Sequence, residues 1–281
     1  MVMRKDLATG MNARTIGSGK GTIVLAHGYG GDQSIWDKIV PELAGSHRVL
    51  VFDWCFSGAV KDPTLYEPAK YGSYDGFADD LISLIDELLI NKVDESSSSS
   101  SSSVYFVGHS MSAMIGCIAS LKRPNLFQGL ILVGASPRFI NSEDYEGGFE
   151  MSNIEQLFSS IESNFEEWAT NFASLVVDSS DPLSIDKFEK CLKKMRQEVA
   201  LSLAKTVFLS DCRDILDKVV VPCHIIQTRN DAVVPSSVPK YIQTKIMNGK
   251  CHVDIIDTDG HFPQLTAHTQ FLEVLFRILV S

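Results

Sequence analysis

A chain of 281 residues with 44% hydrophobic and 21% charged residues can bury a large core, which excludes wholesale disorder. Its formal net charge of -10 argues against a grip on nucleic acid, which needs clustered Lys and Arg that no stretch here provides.

The first residues, "MVMRKDLATGMNARTIG", contain no apolar h-region of a secretion signal, and the reading is a soluble intracellular protein. Short runs rich in Val, Ile and Leu then recur at 22–26, 49–52, 104–107, 130–133, 223–227 and 253–256. Gly, Pro, Asp or Ser bounds each run, so each predicts a strand buried on both faces. Helical spacing predicts helices over 34–43, 74–90, 112–121, 235–247 and 266–280. The last of these holds "FLEVLFRILV", too short to span a bilayer and interrupted by Glu273 and Arg277. Strand–helix alternation of this kind gives an α/β fold with a mostly parallel sheet flanked by helices.

Two glycine-rich stretches fail as nucleotide sites. "GSGKGT" (17–22) has Gly21 where a phosphate loop needs Ser or Thr, and it precedes a strand. "GYGGDQ" (28–33) has Gln33 at the last glycine position of the dinucleotide fingerprint. An unbroken serine tract at 96–103 falls between a helix and a strand and reads as a solvated surface loop over 94–103. Lengthening such a loop costs only ~0.6 kcal/mol per doubling.

The alternation stops between residues 136 and 211. Ile154, Leu157, Phe158 and Ile161 fall at helical spacing, as do three further groups ending at Val207. Asp181-Pro182 has the form of an N-cap followed by proline at the first helical position. The expected organisation is therefore one α/β core, 1–136 and 212–281, with a four-helix lid, 137–211, inserted between two strands. Six scattered cysteines show no metal-like pairing and read as buried reduced thiols; no metal and no cofactor is expected.

Ser110, in "GHSMS", directly follows the run 104–107 and opens a helical pattern. That is the strand–turn–helix setting of a nucleophile elbow, with small residues, Gly108 and Ser112, two before and two after; Ser112 departs from the usual glycine. A serine hydroxyl needs a base, and the base an orienting acid, in the chain order serine, acid, histidine. Asp231 follows the run 223–227 and His261 follows 253–256, so both emerge at the strand ends that deliver Ser110. His224 lies within a strand, His252 before one and His268 in the last helix, while Asp257 and Asp259 flank the histidine on the wrong loop. Singly, Asp231 reads equally well as a turn former and His261 as a surface residue; all three together form a catalytic set. The backbone N–H groups of Tyr29, after the first long strand, and of Met111, after the nucleophile, complete it as oxyanion donors.

"HGYGGDQSIWDKIVPELA", "VGHSMSAMIG", "ASPRFINSEDYEGGFE", "VPCHIIQTRNDAVVP" and "DGHFPQL" together resemble the plant karrikin and strigolactone receptor family of α/β-hydrolases. The resemblance spans nearly the whole chain and implies triad roles for Ser110, Asp231 and His261. It also implies a lid-covered pocket lined by Tyr29, Phe139, Phe149 and Leu157, and by Phe172, Phe188 and Phe208. Helical periodicity alone reads these aromatics as lid core. The family hydrolyses small apolar butenolide-type lactones slowly. Its receptor members act in the cytoplasm and nucleus with a leucine-rich-repeat F-box protein and a Clp-ATPase-like repressor. Tyr29 stands where those receptors usually carry Phe, and "DWCFSGAV" (53–60) differs from their usual turn, which points to a divergent dwarf-fourteen-like side branch. Two other readings stay open, a non-catalytic ligand-responsive interaction protein and a general small-ester carboxylesterase. A monomer is expected, since nothing marks a dimer face.

Overall fold

The computed structural model describes residues 7–19, 21–90, 103–247 and 250–280. The apolar runs form one seven-stranded sheet: β1 (Arg14–Ile16), β2 (Thr22–Ala26), β3 (Arg48–Val51), β4 (Val104–His109), β5 (Phe127–Val133), β6 (Cys223–Asn230) and β7 (Cys251–Asp259). Their spatial order is β1-β3-β2-β4-β5-β6-β7. β2 to β7 run parallel, and only β1 is antiparallel to its neighbour. β1 escapes the sequence reading because it is short and pairs mostly exposed residues at a sheet edge. β7, at the other edge, corrects the expectation of strands buried on both faces: among its apolar side chains only Ile256 is buried, while Ile255 lies open. An edge strand has one neighbour, so one of its faces is only partly covered. His252 lies within this strand rather than before it.

Helices cover the sheet: α1 (Leu7–Gly10), α2 (Val40–Ala44), α3 (Tyr74–Ile85) and α4 (Met111–Lys122) precede β5. The stretch expected as one helix over 34–43 is broken. A single turn, Gln33–Trp36, is capped by Asp32, whose carboxylate accepts from the Ser34 N–H at 2.9 Å, and α2 starts afresh with Pro41 in its first turn. After β5 come α5 (Met151–Ser163), α6 (Phe165–Val176), α7 (Pro182–Lys193) and α8 (Gln197–Phe208), all before β6. Caps set their starts. Asn164 accepts from the Glu167 N–H for α6, and Asp181 from the Ser184 N–H at 3.0 Å for α7, with Pro182 at the first position. α9 (Ser237–Lys245) follows β6, and the final helical region divides at Ala267 into α10 (Pro263–Thr266) and α11 (His268–Leu279). Of the serine tract, residues 96–102 lie outside the described residues.

α4 lies close against β4. At Gly116 an added methyl group would run into the ring of Phe106, which is itself fully buried. Gly116→Ala, although alanine favours helix, is expected to destabilise the chain by about 1–3 kcal/mol through overpacking, read as a lowered denaturant midpoint with unchanged slope.

Candidate active site

The parallel strands all deliver their carboxyl ends to one rim, and four of those ends carry the site. At the end of β4 the chain turns sharply into α4. Ser110 takes φ 56° and ψ −123°, a conformation that L residues avoid. The strain is held by packing on both sides and by the Ser110 N–H, which donates to Val133 O on β5 at 2.8 Å. The Met111 N–H is the first of α4, where the helix itself offers no acceptor.

At the end of β2, Gly28 lets the next loop approach the elbow. A side chain there would come 2.8 Å from Ser110 Cβ and 2.9 Å from His109 Nδ1. The Gly28–Tyr29 peptide is held by His27, a fully buried residue whose Nδ1 lies 2.9 Å from Gly28 O and whose Nε2 accepts from the Trp54 N–H at 3.0 Å. The accepting role at Nε2 places the proton on Nδ1, so the imidazole donates to Gly28 O. Because the peptide is trans, the Tyr29 N–H then points the opposite way. Trp54, from the unusual "DWCFSGAV" loop, ties this region to the elbow. Its indole N–H donates to Ser112 Oγ at 2.9 Å and to His27 O at 3.1 Å, and the Ser112 hydroxyl donates to the same carbonyl at 2.6 Å. The serine that departs from the glycine pattern is thus bonded into the turn.

Asp231 follows β6 directly, and its side chain is 1% exposed. Its Oδ1 accepts from the N–H groups of Val233 (2.8 Å) and Val234 (3.2 Å), and its Oδ2 from Gln227 Nε2 (3.0 Å) and His261 Nδ1 (2.7 Å). With four donors around it, the carboxylate cannot rotate and holds the imidazole in one orientation. The ring of His261 lies over Gly134, at the end of β5, where φ is +55° and a side chain would come 2.8 Å from His261 Cε1. His261 Nε2 is buried and has no hydrogen-bond partner. It borders the cavity that Ser110 borders.

That cavity places Tyr29, Phe139, Phe172, Phe188 and Phe208 around Ser110 and His261, where the family resemblance puts them and helical periodicity alone does not. Phe149 and Leu157, also expected, do not line it. Phe149 stands behind Phe208, at a ring distance of 5.9 Å, and Leu157 packs half-buried on α5, which contributes no wall. His109, Val176, Val207, Val233 and Phe262 line it without having been singled out. Phe262 and His109 adjoin His261 and Ser110 and could have been found by that adjacency; the valines carry no signal.

The model of the alpha/beta hydrolase family matches residues 23–274 of the chain. The karrikin insensitive 2 receptor IA of Petunia hybrida is 41% identical over 268 residues, covering 95% of this chain and 93% of the relative. The strigolactone esterase RMS3 of Pisum sativum is 41% identical over 266 residues, covering 94% and 95%. This chain is an α/β-hydrolase of the karrikin and strigolactone receptor family. Among solved structures, a hydrolase from Oleispira antarctica superposes with a TM-score of 0.90 at 29% identity, covering 99% of this chain and 97% of that one.

Two buried imidazoles, His27 and His109, brace the backbone around the site. His109 is the last residue of β4, directly before Ser110, and its Nε2 is 2.8 Å from His261 O. Burial pushes the pKa of His109 well below 6.5, and that of His27 below 6.5 as well, so both stay neutral in the fold. In the unfolded chain both would titrate near 6.5. Below that value the unfolded state binds more protons, so stability is complete above pH 6.5 and falls as pH drops towards the depressed native values. Thermal unfolding followed from pH 7.5 to 5 should therefore show a falling midpoint. His109→Asn should flatten it by one proton's share, ~1.4 kcal/mol per pH unit at most.

Proposed function

We propose that this α/β-hydrolase opens small butenolide-type lactones, and hydrolyses small esters slowly, by a Ser110–His261–Asp231 triad. The observation that carries the reading is the buried Asp231–His261 pair, 2.7 Å apart, whose outer nitrogen is unpartnered and borders the same cavity as the strained Ser110.

In this reading Asp231 holds the proton on Nδ1, which leaves the Nε2 lone pair free towards the cavity. Ser110 Oγ attacks the carbonyl carbon while its proton passes to Nε2. The carbonyl oxygen takes up charge against the N–H groups of Tyr29 and Met111, each such donor contributing roughly 3 kcal/mol. Collapse breaks the ester C–O bond, and the leaving oxygen takes the proton from Nε2. A water then attacks the acyl-serine by the same base and restores Ser110. The apolar cavity favours an uncharged lactone over a phosphorylated or zwitterionic substrate.

Slow turnover follows from two features. Ser110 and His261 are not hydrogen-bonded in this closed arrangement, and α6, α7 and α8 all contribute walls above them. Within the lid over 137–211, α6 and α7 carry the walls that must move at each turnover, while α8 stays bonded to the segment before α3. The receptor half of the reading is supported by the match to a karrikin receptor along 95% of the chain. It extends to a leucine-rich-repeat F-box protein and a Clp-ATPase-like repressor as partners, in the cytoplasm and nucleus.

Ser110→Ala is expected to lower kcat on a generic ester by about three orders of magnitude or more. An unchanged rate removes the triad. Thermal midpoints with and without a synthetic strigolactone separate chemistry from binding: a shift shared by wild type and Ser110→Ala, with no hydrolysis in either, would make the chain a binding protein alone.

A further inference from the structure

The cavity is smaller than its frame suggests. Side chains from the ends of β2, β4, β6 and β7 and from three helices border it, yet its free volume is about 20 Å³. A water needs roughly 10–15 Å³ by the same measure, so the space holds about one. Ligand pockets are typically about 300–1,000 Å³.

Tyr29 forms part of the wall of this space. It is 6% exposed, and its ring stands edge-on to Trp168 and Phe172 of α6, at 6.2 and 6.1 Å, and to Phe208 of α8 at 6.2 Å. Its hydroxyl donates to Ala200 O of α8 at 2.9 Å, across 171 positions of sequence. Ala200 is a fixed point, because α8 is itself anchored to the segment before α3. Thr206 Oγ1 donates to Tyr71 O at 2.9 Å, and the Tyr66 hydroxyl to Ser202 Oγ at 3.1 Å. Burial keeps the Tyr29 phenol protonated at every working pH, so the donor is permanent.

The ring is therefore not free to swing aside when a substrate presses on it. Its backbone N–H belongs to the peptide that His27 orients towards the site, so moving the ring away also strains the oxyanion donor. We propose that the Tyr29 hydroxyl is a specificity determinant: pinned to Ala200, it holds the ring as a fixed wall and admits only substrates whose acyl portion is short or closed into a small ring. This rests on the Ser110 hydrolase reading and adds a substrate class to it.

The test is kcat/KM of the full chain on p-nitrophenyl acetate, butyrate and octanoate, for wild type, Tyr29→Phe, Tyr29→Met and Ser110→Ala. Wild type should fall steadily along the series. Tyr29→Phe should raise the octanoate-to-acetate ratio about fivefold, the equivalent of ~1 kcal/mol, and Tyr29→Met by at least as much. Loss of folded protein lowers both rates alike and leaves the ratio unmoved, so a purely structural role for the hydroxyl predicts no change in it. An unchanged ratio in both variants, with Ser110→Ala inactive on every ester, overturns the Tyr29 assignment and leaves the triad standing. Wild-type rates in Ser110→Ala on every ester overturn the triad, and the Tyr29 assignment with it.

Discussion

The hydrogen bond between His261 and Asp231 is the constraint on which the site depends. A neutral imidazole can carry its proton on either nitrogen, and only one choice leaves a lone pair facing the cavity. At 2.7 Å, with the carboxylate locked by three further donors, Asp231 makes that choice before any substrate arrives. Nothing at position 110 could act as a base for its own hydroxyl. In the proposed triad the reactivity of the serine that follows β4 is set by a carboxylate after β6, and the parallel sheet brings those strand ends to one rim across a long separation in sequence.

The second constraint is space. A nucleophile elbow forces backbone into an unfavourable conformation, and such strain persists only where neighbours over-determine it. Here the neighbours are crowded to the limit: Gly28 passes within a side chain's reach of Ser110, and Gly134 lies under the ring of His261. The extra hydroxyl at Ser112 does not loosen the turn, because His27 O and the Trp54 indole take it up as acceptor and donor. Trp54 and Ser112, each unusual when read alone, meet in one hydrogen-bonded group that fixes both the elbow and the loop carrying the Tyr29 N–H.

The positions of the proposed triad were legible because each is reported by two independent local signals, an apolar strand and the turn chemistry after it. Ser110, Asp231 and His261 all lie within a few residues of a strand end, so the order of strands places them at one rim without any side-chain detail. The lining of the cavity was less legible. Leu157 carries the same apolar periodicity as Phe172, and periodicity says that a side chain is buried, not which void it meets, while Phe149 precedes α5 and has no helical spacing at all. Val176 and Val207, in the last turns of α6 and α8, and Val233, in the loop after β6, enter the wall at positions that no spacing encodes. The broken helix over 33–44 and the exposed face of β7 were likewise hidden, since one turns on a carboxylate cap and the other on a sheet edge.

The helices over the site and the base beneath them are not independent bodies. The His261 N–H donates to Val176 O, the last residue of α6, at 2.7 Å, while Val176 also forms part of the cavity wall. A displacement of the C-terminal end of α6 must carry the His261 backbone with it or leave a buried N–H unpaired, a loss that costs about 1–3 kcal/mol. His109 holds the carbonyl of the same residue from the other side. The His261 backbone is thus held between α6 and the end of β4, next to Ser110. A displacement of α6 that keeps this bond moves the His261 backbone relative to Ser110, so the wall of the cavity and the placing of its two polar side chains are coupled through Val176.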